Sequence, residues 1–458
     1  MVFTGIGLWT PLGAGRESTW QSLIAGRSAS RWLMPPQWTG ASPLAGAPCQ
    51  LPDGNSRSPD ANSQASDANS DASDANSWQQ VPSRVNEVIP AKAGIQPLSS
   101  SEHRAPSREC EVDPVIALAV CVANEAVQDA GLKPQILSGD RTGVVFGTSK
   151  GGLHTAARLL TPGRLPDQST DPWMNVWPNA AARTVAANYG CCGPVLAPVA
   201  ACATGLAACL RGYELIRDGR CDVVLAGSSD ASLQPAILAS FQRLGVLASP
   251  IDAPEIACRP FDRDRSGFVV GEGAACLILE SYEHAIARGA RWYAEWQGGR
   301  MLSDPSGLTQ LDPDGRSLQR LLSDLLGSVG QIPDYINLHG TATIPNDRVE
   351  SAAVRRVLGK AADHCSCSSL KGGLGHLLGA AGSVELAATL LAIRDQVVPP
   401  TVNLVTPDPS LDLDFTPRVS RRRRIDRAWK LSLGFGGHLS AASVARLPGA
   451  GDRTRTSD

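Results

Sequence analysis

The sequence predicts an α/β protein, from three observations. Short continuous apolar runs, such as residues 142–147 and 222–227, alternate with longer stretches of helical periodicity, the pattern of strands covered on both faces. The chain has 458 residues, 43% of them hydrophobic, with 45 glycines besides, enough for two to four domains at roughly 100–200 residues each. Aromatics are only 5%, so Ala, Val, Leu and Ile must build the core.

The elements follow in order. Residues 113–130 place Val115, Leu118, Ala119, Val122, Ala126 and Val127 at helical spacing, and Gly131 stops the helix. Residues 142–147 are a buried strand closed by Gly147. Residues 194–205 run as an apolar strand into Cys202, and a helix follows with Leu206, Leu210, Tyr213 and Ile216 inward and Arg211 and Arg217 outward. Residues 222–227, 274–279 and 335–339 are further strands. One segment belongs to no core. Residues 59–79 repeat a seven-residue Ser-Asp-Ala-Asn-Ser pattern in which Trp78 is the only large apolar residue. A coiled coil would have nothing to bury. Residues 40–110 therefore read as a disordered low-complexity insertion, and 449–458 as a similar tail.

Charge and composition exclude several classes. Lys and Arg total 42 against 44 Asp and Glu, a net charge of −2, which gives no reason to expect nucleic-acid or membrane-surface binding. No run reaches the ~18 apolar residues of a membrane span. The N-terminus has no basic region of a secretory signal. Twelve irregularly spaced cysteines fit reduced thiols and a cytoplasmic location better than a disulfide framework. Cys191-Cys192 and Cys365-Ser366-Cys367 have no paired partner motif, so no metal site is expected.

Four strand-to-turn segments could carry chemistry. Cys202 stands between small residues at a helix start, where unpaired amides and the helix dipole favour a thiolate. Preferential alkylation of Cys202 at neutral pH is the matching expectation. Taken alone, such a cysteine is more often a packed small residue. His339 ends a strand and is followed by Gly340, Thr341 and Thr343, at the mouth of a sheet where ligands bind. His376 follows a Lys371–Gly375 turn and opens an Ala-rich helix that contains Glu385; the dipole there disfavours a cation. Residues 434–438, Gly-Phe-Gly-Gly-His, form a turn that can bring backbone amides and the Phe435 ring against a ligand.

The order of these motifs resembles the elongating β-ketoacyl-[acyl-carrier-protein] synthases and the ketosynthase domains of polyketide synthases. Further matching stretches are residues 2–7, 259–273 and 398–404. The resemblance implies a thiolase-like five-layer α-β-α-β-α fold in residues 1–448, with halves of about 1–280 and 281–448 and a helix N-terminus at both Cys202 and His376. It implies that Cys202 takes the acyl chain, and that His339 and His376 bind the malonyl thioester carbonyl during decarboxylation. Lys371 and Glu385 match a supporting charge pair. Thr341 and Thr343 match residues that contact the pantetheine arm, and Phe435 a gating ring whose amide completes an oxyanion hole with that of Cys202. The partner implied is an acyl carrier protein, the assembly a homodimer, and no cofactor is implied. Lys150 departs from the pattern: it stands where a small or apolar residue often lines the acyl pocket. The competing class is a non-catalytic partner subunit like the chain-length factors, which usually lack the nucleophile. A thiolase would need a second cysteine, which the 434–438 turn lacks. The basic run from Arg418 to Arg427 reads as a solvated surface loop before it reads as a carrier-protein contact.

Overall fold

The computed structural model describes residues 1–33, 44–50, 112–161, 173–249 and 253–447. Ten strands frame the site: β1 (Val2–Thr10), β2 (Thr142–Gly147), β3 (Val195–Leu196), β4 (Val223–Asp230), β5 (Gly273–Glu280), β6 (Ala294–Ser303), β7 (Tyr335–Asn337), β8 (Ser366–Ser368), β9 (Arg427–Gly434) and β10 (His438–Ala445). They lie in the spatial order β8-β7-β9-β10-β6-β1-β5-β4-β2-β3.

That path is two copies of one pattern. In each half the first strand pairs antiparallel with the fifth and the fifth antiparallel with the fourth. The fourth then pairs parallel with the second, and the second parallel with the third. The halves meet edge to edge through Val2↔Glu295 and Phe3↔Ala294. The purely apolar strand read at 142–147 is β2, with the same bounds.

Five helices complete the layers: α1 (Pro114–Asp129), α2 (Thr204–Arg217), α3 (Arg316–Val329), α4 (Ile344–Leu358) and α5 (Ala381–Asp395). The helices α2 and α5 pack on each other and on strands of both halves. The helix α1 covers the outer face of the first half, and α3, backed by α4, that of the second. The result is five layers, α-β-α-β-α. Position explains composition. Outer α3 buries only Leu318, Leu321, Leu322 and Leu325, one stripe at i, i+3, i+4 and i+7, each leucine contributing about 1.5–3 kcal/mol. Central α5 is buried on every side from Ala381 to Ile393, so it has no polar face. A Cβ at Gly205 would come within 2.4 Å of the Ser383 amide, and one at Gly382 within 2.4 Å of the Leu206 amide. Glycine at both positions lets α2 and α5 cross at backbone contact.

Several boundaries differ from the sequence reading. The strand expected at 222–227 runs on to Asp230. Its polar end is satisfied inside the fold: Ser228 Oγ lies 2.6 Å from Ser383 Oγ, and Ser229 Oγ donates to the Val115 carbonyl at 2.7 Å. The strand expected at 335–339 stops at Asn337. The insertion begins later than residue 40. Leu44–Ala47 is a strand, antiparallel to Arg31–Leu33 and parallel to Val270–Gly271. Residues 40–43 and 51–110 of that insertion, like the tail at 449–458, lie outside the described residues. Among the described residues no helix is long and apolar enough to cross a membrane. In the basic run, Arg421 pairs with Asp414, Arg424 with Asp426, and Arg423 donates to Ser366 Oγ at 2.8 Å, so three of its arginines are engaged within the fold.

Candidate active site

Cys202 lies in a 3-10 turn, Ala201–Ala203, that leads into α2. The turn starts from a left-handed residue, Ala201 with φ 46°, an uncommon conformation for a residue with a Cβ. Thr204 holds it: its Oγ1 accepts the Ala200 amide at 2.8 Å and donates to the Ala201 carbonyl at 2.7 Å. The helix-start placement expected for Cys202 is thus present to within one turn. The thiolate expected from it is not. Burial pushes the Cys202 thiol up to about 11, against weaker downward pulls from Lys150, Lys371 and the Phe435 amide. Desolvation outweighs the helix terminus. Preferential labelling at neutral pH loses its basis, all the more beside the exposed Cys192. Instead, the rate of Cys202 alkylation by iodoacetamide should climb about tenfold per pH unit from pH 7 to 10. A plateau below pH 9, read by peptide mass spectrometry, would contradict this.

His339 follows β7 by two residues, and its amide and that of Gly340 donate to the Glu350 carboxylate at 2.6 and 2.8 Å. His376 does not open a helix. It lies between the short Lys371–Leu374 helix and a 3-10 turn, Leu378–Ala380, that precedes α5. Its backbone instead bridges to Val270, and its amide donates to Val269 O at 2.6 Å. Gly375, with φ 71°, turns the chain into this position, where a Cβ would meet Ala47 and the Val269 carbonyl at 3.0 Å.

The two imidazoles stand edge to face, ring centroids 5.5 Å apart. Both are held well below the ordinary histidine range, first by burial and then by the charge of Lys371, with Lys430 acting on both. They are neutral at physiological pH, for this reason and not because of a helix dipole. Neither Nδ1 has a hydrogen-bond partner among the described residues.

The charges come from a buried cluster. Lys371 Nζ donates to Glu385 Oε1 and to the His339 carbonyl, both at 2.6 Å. Lys430 Nζ lies 2.6 Å from Glu385 Oε2. Burial brings Lys430 down to about 8 and Glu350 up to about 7. The pair Lys371 and Glu385 was legible in sequence; Lys430 and Glu350 were missed. The signal for Lys430 was present, a single cation inside the apolar strand run 428–433.

Cys202, His339, His376, Thr341, Thr343 and Phe435 all line one cavity of about 560 Å³. The hydroxyls of Thr341 and Thr343 are 2.9 Å apart at its wall. The site residues named from sequence thus converge from both halves: Cys202 from the first, the others from the second.

Residues 1–285 match the family model for the β-ketoacyl synthase N-terminal domain, and residues 293–405 that for the C-terminal domain. The chain belongs to the β-ketoacyl synthase family. It is 37% identical to the tetracenomycin polyketide synthase ketoacyl synthase alpha subunit of Streptomyces glaucescens, covering 97% of each chain. It is 40% identical to 3-oxoacyl-[acyl-carrier-protein] synthase 2 of Synechocystis sp., over 70% of this chain and 78% of that one. Among solved structures, it resembles a type II polyketide synthase ketosynthase, bound to the hexaketide and in complex with its acyl-carrier protein, at a TM-score of 0.78 and 30% identity. That match covers 97% of this chain and 99% of the other. A Burkholderia phymatum β-ketoacyl synthase is also similar, at TM-score 0.78 and 28% identity over 98% and 99% of the two chains. The thiolase-like, five-layer ketosynthase fold inferred from the motif order is therefore the fold of this chain.

Proposed function

We propose that this ketosynthase is an active β-ketoacyl-acyl-carrier-protein synthase, an acyltransferase that extends an acyl chain by decarboxylative Claisen condensation. The observation that carries it is the convergence of Cys202 and two neutral imidazoles on one cavity. Cys202 sulfur attacks the acyl thioester on the carrier, and the released pantetheine thiol takes up the proton that the cysteine loses. Malonyl carrier protein then enters past Thr341 and Thr343. Its carbon–carboxylate bond breaks, and the electron pair delocalises onto the thioester oxygen as an enolate, with carbon dioxide leaving. Two neutral N–H donors stabilise that oxygen without being spent as acids. The enolate carbon attacks the acyl carbonyl on Cys202, and the tetrahedral oxyanion is held by the Cys202 and Phe435 amides. Collapse expels the cysteine sulfur and leaves a β-ketoacyl chain on the carrier. Holding one reactant covalently makes the step effectively intramolecular.

The carrier protein as partner is supported by the relative whose structure contains one. A homodimer in the cytoplasm is part of the same proposal. The strand β3 forms a free sheet edge with Val195, Leu196 and nearby Val199 exposed, a surface suited to pairing with a second copy. The retained Cys202 favours a catalytic chain over a chain-length-factor-like partner. Radiolabelled malonyl carrier protein, with an acyl-carrier primer, separates them: carbon dioxide release with a two-carbon-longer product is expected, and Cys202→Ala should abolish the product. Carbon dioxide release without any extension, unchanged in Cys202→Ala, would favour the partner role.

A further inference from the structure

The Cys202 side chain belongs to an apolar cluster with Leu238, Phe268 and Leu378, against which Leu233 and Phe241 pack. A cation borders this cluster. Phe268 stands edge-on to His376 at 5.0 Å between centroids and edge-on to Phe241 at 5.6 Å. Lys150 Nζ lies 5.9 Å from the Phe241 centroid. Lys150 follows the C-terminal end of β2, and Asp230 is the last residue of its parallel neighbour β4. Ligands of open α/β sheets bind at such strand ends.

The lysine is built into a polar network. Its Nζ donates to Ser149 Oγ at 2.7 Å and Ser232 Oγ at 3.3 Å. Both hydroxyls donate in turn to the Asp230 carboxylate, which also accepts the Gly379 amide at 3.0 Å. Ser232 and Asp230 are buried, so the network is fixed before any ligand arrives. An ammonium carries three N–H bonds; among the described residues two are used and one remains. A saturated chain laid along this lining would leave that donor facing methylenes, which is unfavourable. The charge also reaches the reacting groups, pulling the Cys202 thiol down and opposing protonation of His376.

We propose that Lys150 closes the far end of the acyl pocket and selects chains that carry an oxygen acceptor several carbons from the thioester. This rests on the condensing-enzyme function proposed above, and it names the class of acyl group that enzyme extends. The remaining N–H donates to the chain oxygen, while Phe268 and Phe241 pack the methylenes between.

The test loads the acyl carrier protein with octanoyl, 7-oxooctanoyl or 7-carboxyheptanoyl groups and measures kcat/KM for condensation with malonyl carrier protein. The enzymes are the wild type, Lys150→Met and Lys150→Gln. The wild type should prefer an oxygenated chain over octanoyl by about 10–100-fold, the scale of one charge-assisted hydrogen bond. Lys150→Met should bring that ratio to near unity. Lys150→Gln keeps a neutral donor, so it should retain part of a preference for the ketone and lose one for the carboxylate. The two oxygenated chains thereby tell a ketone from a carboxylate. Wild-type preference for octanoyl overturns the proposal. So does a Lys150 variant that slows all three chains by one factor, the mark of a merely structural role. If Lys150→Met does not fold, by circular dichroism and melting, Lys150→Gln decides on the same criteria. If the wild type condenses none of the three, the condensing function falls and Lys150 specificity with it; if it condenses all three without discrimination, only Lys150 specificity falls.

Discussion

His339→Ala and His376→Ala should each slow malonyl decarboxylation by roughly 10²–10³, the cost of one preorganised donor at a developing oxyanion. Both should still accept an acyl group on Cys202. The rings reach one cavity from different elements, 5.5 Å apart and at a steep angle, so one oxygen can take a hydrogen bond from each. The double variant should be little worse than either single one, since groups acting as a unit are not additive. Because both rings titrate well below 6.5, the wild-type decarboxylation rate should not change between pH 8 and 6.5 through their protonation. Radiolabelled carbon dioxide release, followed beside mass spectrometry of acylated Cys202, reads both half-reactions. Variants that decarboxylate normally but are never acylated would make the histidines the base of the nucleophile and reverse these assignments.

Glu385→Ala should cost about 3–5 kcal/mol of stability, the scale for leaving a buried charge unpaired. Here one carboxylate faces two ammonium groups, Lys371 and Lys430, both with no solvent exposure. Removing it leaves Lys371 without its carboxylate and Lys430 with only the weaker pull of Glu350. Lys430→Met does the opposite: it leaves one cation for one anion, and the change should be neutral or stabilising. Urea denaturation of both variants measures the contrast. Equal destabilisation by the two would mean that Lys430 is held by the Leu338 and Leu431 carbonyls, to which its Nζ also donates, and not by Glu385.

Much of this was legible in the sequence, where local pattern decides. The strand β2 is an uninterrupted apolar run ending in glycine, and its bounds were recovered. The helix α1 was found because its apolar residues recur at helical spacing and Gly131 stops it, at φ +63°; the cap, Asp113 accepting the Val115 amide at 3.1 Å, agrees with that start. Motif order brought out Cys202, His339 and His376, which single residues could not. What failed depends on neighbours remote in the chain. The polar end of β4 fell outside the strand read from sequence because its hydroxyls find their partners in α1 and α5, far away in the chain. The ionisation of Cys202 was misjudged because a helix start is a local feature, whereas burial is set by residues from both halves. Lys430 was missed because its carboxylate partner lies on α5, remote in the chain.

The two matching five-strand patterns carry the mark of a duplicated ancestor, and a duplicated scaffold offers two equivalent places for a reaction. Ala201 at φ 46° opens the turn into α2, and Leu378 at φ 48° opens the turn into α5. Counting on from each, Gly379 is the counterpart of Cys202. The ends of β4 and β9 correspond in the same way, Asp230 against Gly434. At the cysteine copy Gly434 lies close to the Cys202 amide, which would be 3.2 Å from a Cβ there, and places no carboxylate on it. At the other copy the thiol is gone and the Asp230 carboxylate occupies the Gly379 amide at 3.0 Å. An amide already bound to an anion cannot receive a second one. The symmetry of the scaffold therefore stops at its chemistry: with glycine in place of the thiol and a carboxylate on the amide, the second position lacks both groups that the first presents.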